Sequence, residues 1–260
     1  MNSPRQRWMQ LALAGALWLW HGLGIAQTLS EQGATDHVDV QIASEWSQGQ
    51  YGDPQVTRTQ QTTLTTRYRG DRWQVDVDMP WLRVKSPADP ALLPGSTNST
   101  QSGLGDAWLK LSWEMVPLTH HAPGLDLVLK HKTSTGDTQR GLGTGGRDWA
   151  LQLDGSLLLG QGYMLFGHLG HRRTGDVPGY KPYRNPWYGE LGIQGQAASH
   201  VDVGSYYTTR QAIGVLGPVK ELTAYCSWHD ASTRMQAYAT RGMATASPDW
   251  AAGLIARQRF

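Results

Sequence analysis

Charged side chains that alternate with apolar ones are the feature of this chain most suited to act on a solute. Within Trp73–Trp81, Asp76 and Asp78 fall between apolar residues, as on a β-strand with one wet face and one oily face. The chain carries 23 Lys and Arg against 21 Asp and Glu, so the two signs nearly balance. Such side chains can pair across strands and fill a narrow interior, or they can line a polar passage. The sequence leaves both readings open.

The polar faces of the predicted strands together define a candidate interior surface. Acids and bases are mixed along it, so a long-range field of one sign should largely cancel and ion selectivity should be weak. Its aromatic members could offer stacking surfaces to a planar apolar solute, or they could serve packing alone. The residues predicted to line this interior are Arg72, Asp76, Asp78, Asp106, Trp108, Lys110, Glu114, Asp126, Lys130, Lys132, Asp154, Glu190, Tyr225, Tyr238, Arg257 and Arg259.

A second kind of chemistry is suggested by Ser227 and His229, which share the inward face of one predicted strand. A serine beside a histidine is the beginning of a hydrolytic site, and some twelve-stranded outer-membrane barrels are lipases or lipid deacylases. No recognisable motif supplies the acid that would complete the site. A lipid-modifying enzyme therefore stays as an alternative, and the prediction is a protein without enzymatic activity.

Cofactor and metal sites are not predicted. The segment Gly141–Gly146 matches G-x-G-x-x-G, but a strand follows it where a dinucleotide site needs a helix, so a glycine-rich outer loop with positive φ is expected. His168 and His171 are three residues apart and fall on opposite faces of a strand, which prevents chelation on one face. The single Cys226 excludes an internal disulfide and a cysteine-rich metal site. The balanced charge gives no basic face for nucleic acid.

The elements that must position these residues are strands of period two. In Asp148–Leu159, tryptophan and leucine occupy one face while aspartate, glutamine and serine occupy the other. About twelve such segments follow one another, each of the roughly ten residues that a tilted membrane strand needs. The connections between them alternate between long polar loops and short turns, as they do in outer-membrane barrels. The predicted fold is all-β: a transmembrane antiparallel β-barrel of about 12 strands.

The organisation of the whole chain agrees with export. Residues 1–26 have the basic start, apolar segment and small-residue cleavage site of a signal peptide, which leaves 27–260 as the barrel. Long loops at Lys85–Ser102, Thr133–Arg147 and Arg173–Pro186 are predicted to lie outside the cell, with both termini periplasmic. The final Phe260 is similar to the terminal aromatic that the barrel-assembly machinery reads. The predicted location is the outer membrane of a Gram-negative bacterium, with membrane lipid and that machinery as partners.

Three motifs in the middle of the chain carry a family resemblance. They are Gly103–Asp106 opening a strand, Lys132–Asp137 followed by Gly141–Gly145, and Leu165–Gly170. Together they resemble the outer-membrane transporter family named for the meta pathway of phenol degradation. The resemblance implies a barrel that passes small solutes, including aromatic or hydrophobic ones, and it brings no catalytic residue. A channel or transporter is thus the predicted function, and a structural or adhesion barrel without an open pore is a further alternative.

Overall fold

The structure is a computed structural model that describes residues 36–51, 56–86, 99–160, 162–175, 184–213 and 217–260. The predicted signal peptide at 1–26 lies outside these residues. Regular structure in the described residues consists of β-strands. The described residues include no helix long and apolar enough to cross a membrane. The strands are β1 His37–Gly49, β2 Thr57–Arg69, β3 Trp73–Ser86, β4 Ser99–Leu104, β5 Trp108–Val116, β6 Gly124–Lys132, β7 Asp148–Gly160, β8 Tyr163–Arg173, β9 Trp187–Ala198, β10 Val201–Arg210, β11 Val219–His229, β12 Thr233–Gly242 and β13 Trp250–Arg259.

The strands form one antiparallel sheet that closes on itself. Apart from β4 and β5, which both pair with β3, each strand pairs with its neighbours in the chain. In addition, β1 pairs with β13 over a register that runs from Asp39 opposite Arg259 to Gln48 opposite Trp250. The pairing of β1 with β13 closes the sheet into a ring, and pairing of backbone groups between strands is the condition for a sheet to cross a bilayer. The predicted transmembrane-type barrel fold is confirmed.

The strands β4 and β5 share one position in the ring. The first half of β3, Trp73–Asp78, pairs with β5, and its second half, Trp81–Ser86, pairs with β4. The barrel therefore has twelve strand positions, as predicted. Between the two pieces the ladder is interrupted opposite Pro80, which has no N–H to donate, although its carbonyl accepts a bond of 2.8 Å from the amide of Gly105.

One part of the predicted loop Lys85–Ser102 is wrong. The structure extends β3 to Ser86, and residues from Ser99 onward form β4. The sequence STQSGL has no alternating apolar face, so the period-two pattern could not predict β4. Backbone pairing with β3 sets the position of β4 in the ring.

The two faces of the wall follow the predicted alternation. Asp76 and Asp78 are 4% and 2% exposed, whereas Val77 between them is 40% exposed. Tryptophan and leucine recur on the exposed face around the ring, with Trp73 and Trp81 toward opposite ends of β3. An apolar outer band with tryptophan near its borders is typical of a wall that faces lipid.

The connections sort into two kinds at the two ends of the barrel. Chain reversals near Gly70, Gly162, Ser199 and Asp230 are short, and both chain ends of the barrel lie with them. We call this the short-turn end. The opposite end, with the connection 133–147 and the connection between β8 and β9, is the long-loop end. The side of the membrane that each end faces stays a prediction.

Candidate functional site

The interior of the barrel holds nearly all of the residues predicted to line it. Alternation along each strand directs them to the face opposite the exposed apolar residues. The buried ones are Asp76, Asp78, Asp106, Trp108, Lys130, Lys132, Glu190, Tyr225 and Arg257. The half-buried ones are Lys110, Glu114, Asp126, Asp154, Tyr238 and Arg259.

Arg72 is the exception, because the prediction that it lines the interior is wrong. It lies in the turn between β2 and β3, its side chain is exposed, and its carbonyl accepts a bond of 2.8 Å from the amide of Glu114. Extending the period-two pattern of β3 back by one residue placed it inside, but the strand begins only at Trp73. In a turn the backbone no longer alternates, so the face of Arg72 does not follow from that of its neighbours.

A dense charge network occupies the interior at the long-loop end. The ammonium of Lys132 lies 3.1 Å from Oδ2 of Asp106 and 3.2 Å from Oδ2 of Asp148, and it also contacts the hydroxyl of Thr144. Arg172 forms an ion pair with Asp148. These charged side chains are at most 3% exposed. Buried charges are tolerated only when each one is paired and hydrogen-bonded, and this group meets that condition.

The same network anchors the glycine-rich loop 133–147. Asp106 accepts the amide of Gly136 at 3.0 Å, and the amide and hydroxyl of Thr144 at 2.9 and 3.0 Å. Leu142 is 1% exposed and packs in the interior beside β3. Gly141 and Gly145 have φ of 69° and 72°, which confirms the predicted positive φ. The loop is therefore held over the interruption between β4 and β5, and a strand, β7, follows it.

Further charge pairs join neighbouring strands nearer the short-turn end. Arg67 on β2 makes a two-pronged contact with Asp76 on β3, at 3.0 and 3.1 Å. The ammonium of Lys110 on β5 lies 2.6 Å from Asp78. Bidentate contacts of this kind fix side-chain geometry as well as charge.

The seam between the first and last strands carries a similar contact. Arg257 and Arg259 on β13 lie 3.8 and 3.5 Å from the carboxylate of Asp39 on β1. Pairing of opposite signs across neighbouring strands thus recurs around the ring. These contacts support the interpretation that interior charges form pairs that fill a narrow barrel.

An apolar cluster lies across the interior toward the short-turn end. It joins Met164 and Phe166 on β8 with Tyr206 on β10 and Tyr225 on β11, and its remaining buried member is Leu118. Leu118 is 4% exposed and belongs to the connection between β5 and β6, on another side of the ring. The connection therefore sends an apolar side chain into the barrel. Sequence reasoning missed this residue, although a lone leucine between two prolines in a polar turn was an available signal.

The aromatic side chains of the interior pack on the backbone of neighbouring strands. A methyl group added at Gly192 would lie 2.5 Å from Cζ of Phe166, and one at Gly204 would lie 2.5 Å from Cζ of Tyr225. The hydroxyl of Tyr225 donates to Gln194 at 2.8 Å. These rings fill space that only glycine leaves free, so packing is their established role.

Trp108 and Tyr238 are also engaged by the protein. The guanidinium of Arg172 lies 5.7 Å from the centre of the Trp108 ring, which is 2% exposed. The hydroxyl of Tyr238 donates to Glu45 at 2.7 Å. Stacking of a solute on either ring would require these neighbours to move.

Four charged residues of the predicted lining, on the neighbouring strands β5, β6 and β7, are only half-buried. Glu114, Asp126 and Asp154 lie opposite one another on β5, β6 and β7, and each keeps part of its surface exposed. Lys110 is likewise half-buried in the same wall. We call these four residues the recess. Together with Tyr238 and Arg259, these residues are the part of the predicted lining that keeps some surface exposed.

The Ser227–His229 pair does not have the geometry of an accessible hydrolytic site. Ser227 is fully buried, and its hydroxyl accepts a bond of 2.8 Å from Arg234. His229 lies 3.4 Å from Asp202. The hydroxyl of Ser227 is thus hydrogen-bonded to Arg234, and its burial shields it from a lipid substrate. Among the described residues, no group of three or more His, Cys, Asp or Glu could hold a metal ion.

Comparison with solved structures agrees with the barrel. The KdgM porin in complex with disordered oligogalacturonate matches with a TM-score of 0.55 at 8% identity, covering 85% of this chain and 99% of that one. The toluene transporter TodX of P. putida matches with 0.52 at 10%, covering 90% and 92%. The translocator domain of the autotransporter NalP from Neisseria meningitidis matches with 0.54 at 11%, covering 90% and 92%.

At such identities these comparisons establish the fold alone. A porin, a toluene transporter and an autotransporter domain share the architecture, so the architecture does not select a solute. No family model matches the chain, and no curated protein matches it. The resemblance to the phenol meta-pathway transporters therefore stays a prediction.

Proposed function

We propose that this protein is a narrow, passive outer-membrane channel for small solutes, including aromatic or hydrophobic ones. The observation that carries the proposal is a closed ring of twelve strand positions whose inward side chains include many charged ones of both signs. The similar structures include the KdgM porin and the toluene transporter TodX. The likeness to these two proteins supports the channel class, and TodX and the family resemblance support the aromatic solute class.

The charge arrangement supports weak selectivity between ions. The acids Asp76 and Asp78 face Arg67 and Lys110 at contact distance, so their fields cancel over short range. The half-buried recess is richer in acids than in bases, which favours cations locally. Its effect is confined to one wall, since most interior charge is paired.

The apolar cluster supports a low conductance in the resting state. Leu118 reaches from the connection between β5 and β6 to Met164 and Phe166 on the far side of β7. An apolar constriction of this kind restricts water and ions more than it restricts an apolar solute. We propose that movement of this connection widens the passage.

Planar-bilayer recording of the purified barrel tests the proposal. We expect small single-channel steps and a reversal potential near zero in a salt gradient. Leu118→Ala should enlarge the steps, because it shortens the side chain that crosses the interior. The matched control is Leu127→Ala, which removes the same atoms from the outer face of β6 and should leave conductance unchanged. Strong selectivity for one ion sign would contradict the balanced interior.

A structural barrel without an open pore is the second candidate. It is favoured by the burial of interior side chains such as Glu221 and Thr223, which are 0% exposed. Silence of both the native protein and Leu118→Ala, together with no liposome swelling by sugars, amino acids or small phenols, would select it. A lipid-modifying activity is disfavoured by the burial of Ser227. Lipid hydrolysis that is abolished by Ser227→Ala would revive it.

Outer-membrane location and assembly are part of the same proposal. Phe260 is 75% exposed at the end of the last strand, and its amide donates to Val38 at 2.8 Å. An exposed aromatic side chain next to the closing seam suits recognition by the assembly machinery before closure. Recovery of the protein as a soluble monomer without detergent would contradict the membrane placement.

A further inference from the structure

Exposed charge is distributed unequally between the two ends of the barrel. At the short-turn end the exposed charged side chains in the described residues are Asp36, Asp71, Arg72 and Asp230. At the long-loop end the exposed cations are Arg58, Arg83, Lys85, Arg140, Arg147, Arg173, Arg184, Lys220 and Arg241, and the exposed acids in the described residues are Asp137 and Asp249. The long-loop end is therefore the basic end.

Three of these cations form a compact group on the outer wall. Arg58 on β2 lies directly opposite Lys85 on β3, and Arg83 follows two residues away on the same face. We call Arg58, Arg83 and Lys85 the basic patch. Like charges placed directly opposite each other on a sheet are destabilising. The arrangement is thus unfavourable unless an anion neutralises it.

The neighbours of the basic patch within the described residues do not neutralise it. Arg83 lies between Gln60 on β2 and Ser102 on β4, and Lys85 lies opposite Thr100 on β4. The side-chain nitrogen Nε of Arg58 donates to Gln48 at 3.3 Å. All of these are uncharged. In the described part of the wall, none of the three patch cations forms an ion pair with an acid.

The position of the basic patch along the membrane normal indicates what kind of partner it can meet. Arg83 comes two residues after Trp81, which is 40% exposed on the same face of β3. On β1, Gln48, the contact of Arg58, likewise comes two residues after the exposed Trp46. Exposed tryptophans mark the border of the hydrocarbon region, so the patch lies at the level of lipid headgroups.

We propose that the basic patch binds the phosphate groups of an anionic lipid in the leaflet at the long-loop end. Two guanidinium groups and an ammonium give the forked and point-like donors that phosphate oxygens accept. The long apolar wall below, with Trp81 and Trp46, suits the acyl chains of the same lipid. The proposal rests on the membrane placement in the proposed function, but it is independent of whether the lumen conducts.

The test uses the purified full chain in neutral detergent and two probes, diphosphoryl lipid A and its dephosphorylated form. Native mass spectrometry measures binding of each. We expect the phosphorylated probe to bind and the dephosphorylated one to bind far less. The triple variant Arg58→Gln, Arg83→Gln and Lys85→Gln should weaken binding of the phosphorylated probe by about 10- to 100-fold, given the typical contribution of three cations near a charged headgroup.

The matched control removes three cations from the same end but another part of the ring, with Arg147→Gln, Arg173→Gln and Arg184→Gln. Equal losses in the two triple variants would overturn the proposal in favour of diffuse attraction, and equal binding of the two probes would also overturn it. Full competition by millimolar inorganic phosphate would indicate a free-phosphate site in place of a lipid site.

Folding and channel function are followed separately in the same variants. Each is checked by its heat-dependent mobility in SDS, and if the triple variant does not fold, Arg83→Gln alone must weaken binding measurably. Single-channel conductance should be unchanged by the patch substitutions, since all three side chains lie outside the lumen. A native protein that binds the phosphorylated probe but conducts no current would count against the channel and leave the lipid site in place.

Discussion

Replacing Lys132 by methionine should destabilise the barrel by about 3 kcal/mol. The substitution keeps the length of the side chain and removes one buried charge that lies between Asp106 and Asp148. Removal of one partner from a buried ion pair typically costs about 3–5 kcal/mol, because the other charge stays buried without it. The lower figure applies here because Asp148 keeps Arg172, and Asp106 keeps the amides of its loop.

The free energy of unfolding can be measured by urea titration in lipid vesicles, with tryptophan fluorescence as the signal. Lys220→Met is the matched control, since Lys220 is exposed at the same end and should change stability by less than about 0.5 kcal/mol. The double variant Lys132→Met with Asp106→Asn should recover part of the loss, as the two sites share one network. A Lys132→Met variant as stable as the native protein would refute the view that this network holds the loop 133–147.

Three further outcomes are expected. Val77→Arg should lower folding yield far more than Asp76→Asn, because arginine at the lipid-facing midplane costs about 2–4 kcal/mol; equal yields would mean that the faces are reversed. Thr138→Cys, in a background without the native cysteine, should react with an impermeant maleimide on intact cells, and reaction only after permeabilisation would invert the topology. The pKa of Asp230 is lowered by two backbone amides of its turn, so its ionised form stabilises the turn at neutral pH and this is lost as pH falls through the lowered pKa. NMR titration of those amides should show the change, and Asp230→Asn should abolish it.

Most of the wall could be predicted from the sequence because the membrane imposes one rule on every strand. Side chains alternate between lipid and interior, so apolar residues at every second position gave twelve strand positions and the correct face for residues such as Asp78 and Lys130. The rule stops where the backbone stops alternating. Arg72 was misplaced for that reason, and β4 was missed because its side chains carry no apolar period.

The contents of the interior were harder to predict. Lys132 and Asp148 are directly paired on neighbouring strands, but Asp106 joins them only because the strand position is interrupted at that point. Leu118 enters the barrel from a turn, where no periodicity indicates a direction. These contacts depend on distances between segments far apart in the chain, which local patterns do not contain.

The pairing of β1 with β13 has a consequence for how the protein is made. Residues more than two hundred positions apart, such as Asp39 and Arg259, must meet before the sheet closes. Contacts at such separation are slow to form, and until then both outer strands expose unpaired backbone groups. A chain cut before Trp250 is therefore not a smaller barrel but an open sheet with two unpaired edge strands. Its expected fate is aggregation or proteolysis, so the cell obtains either the whole ring or none.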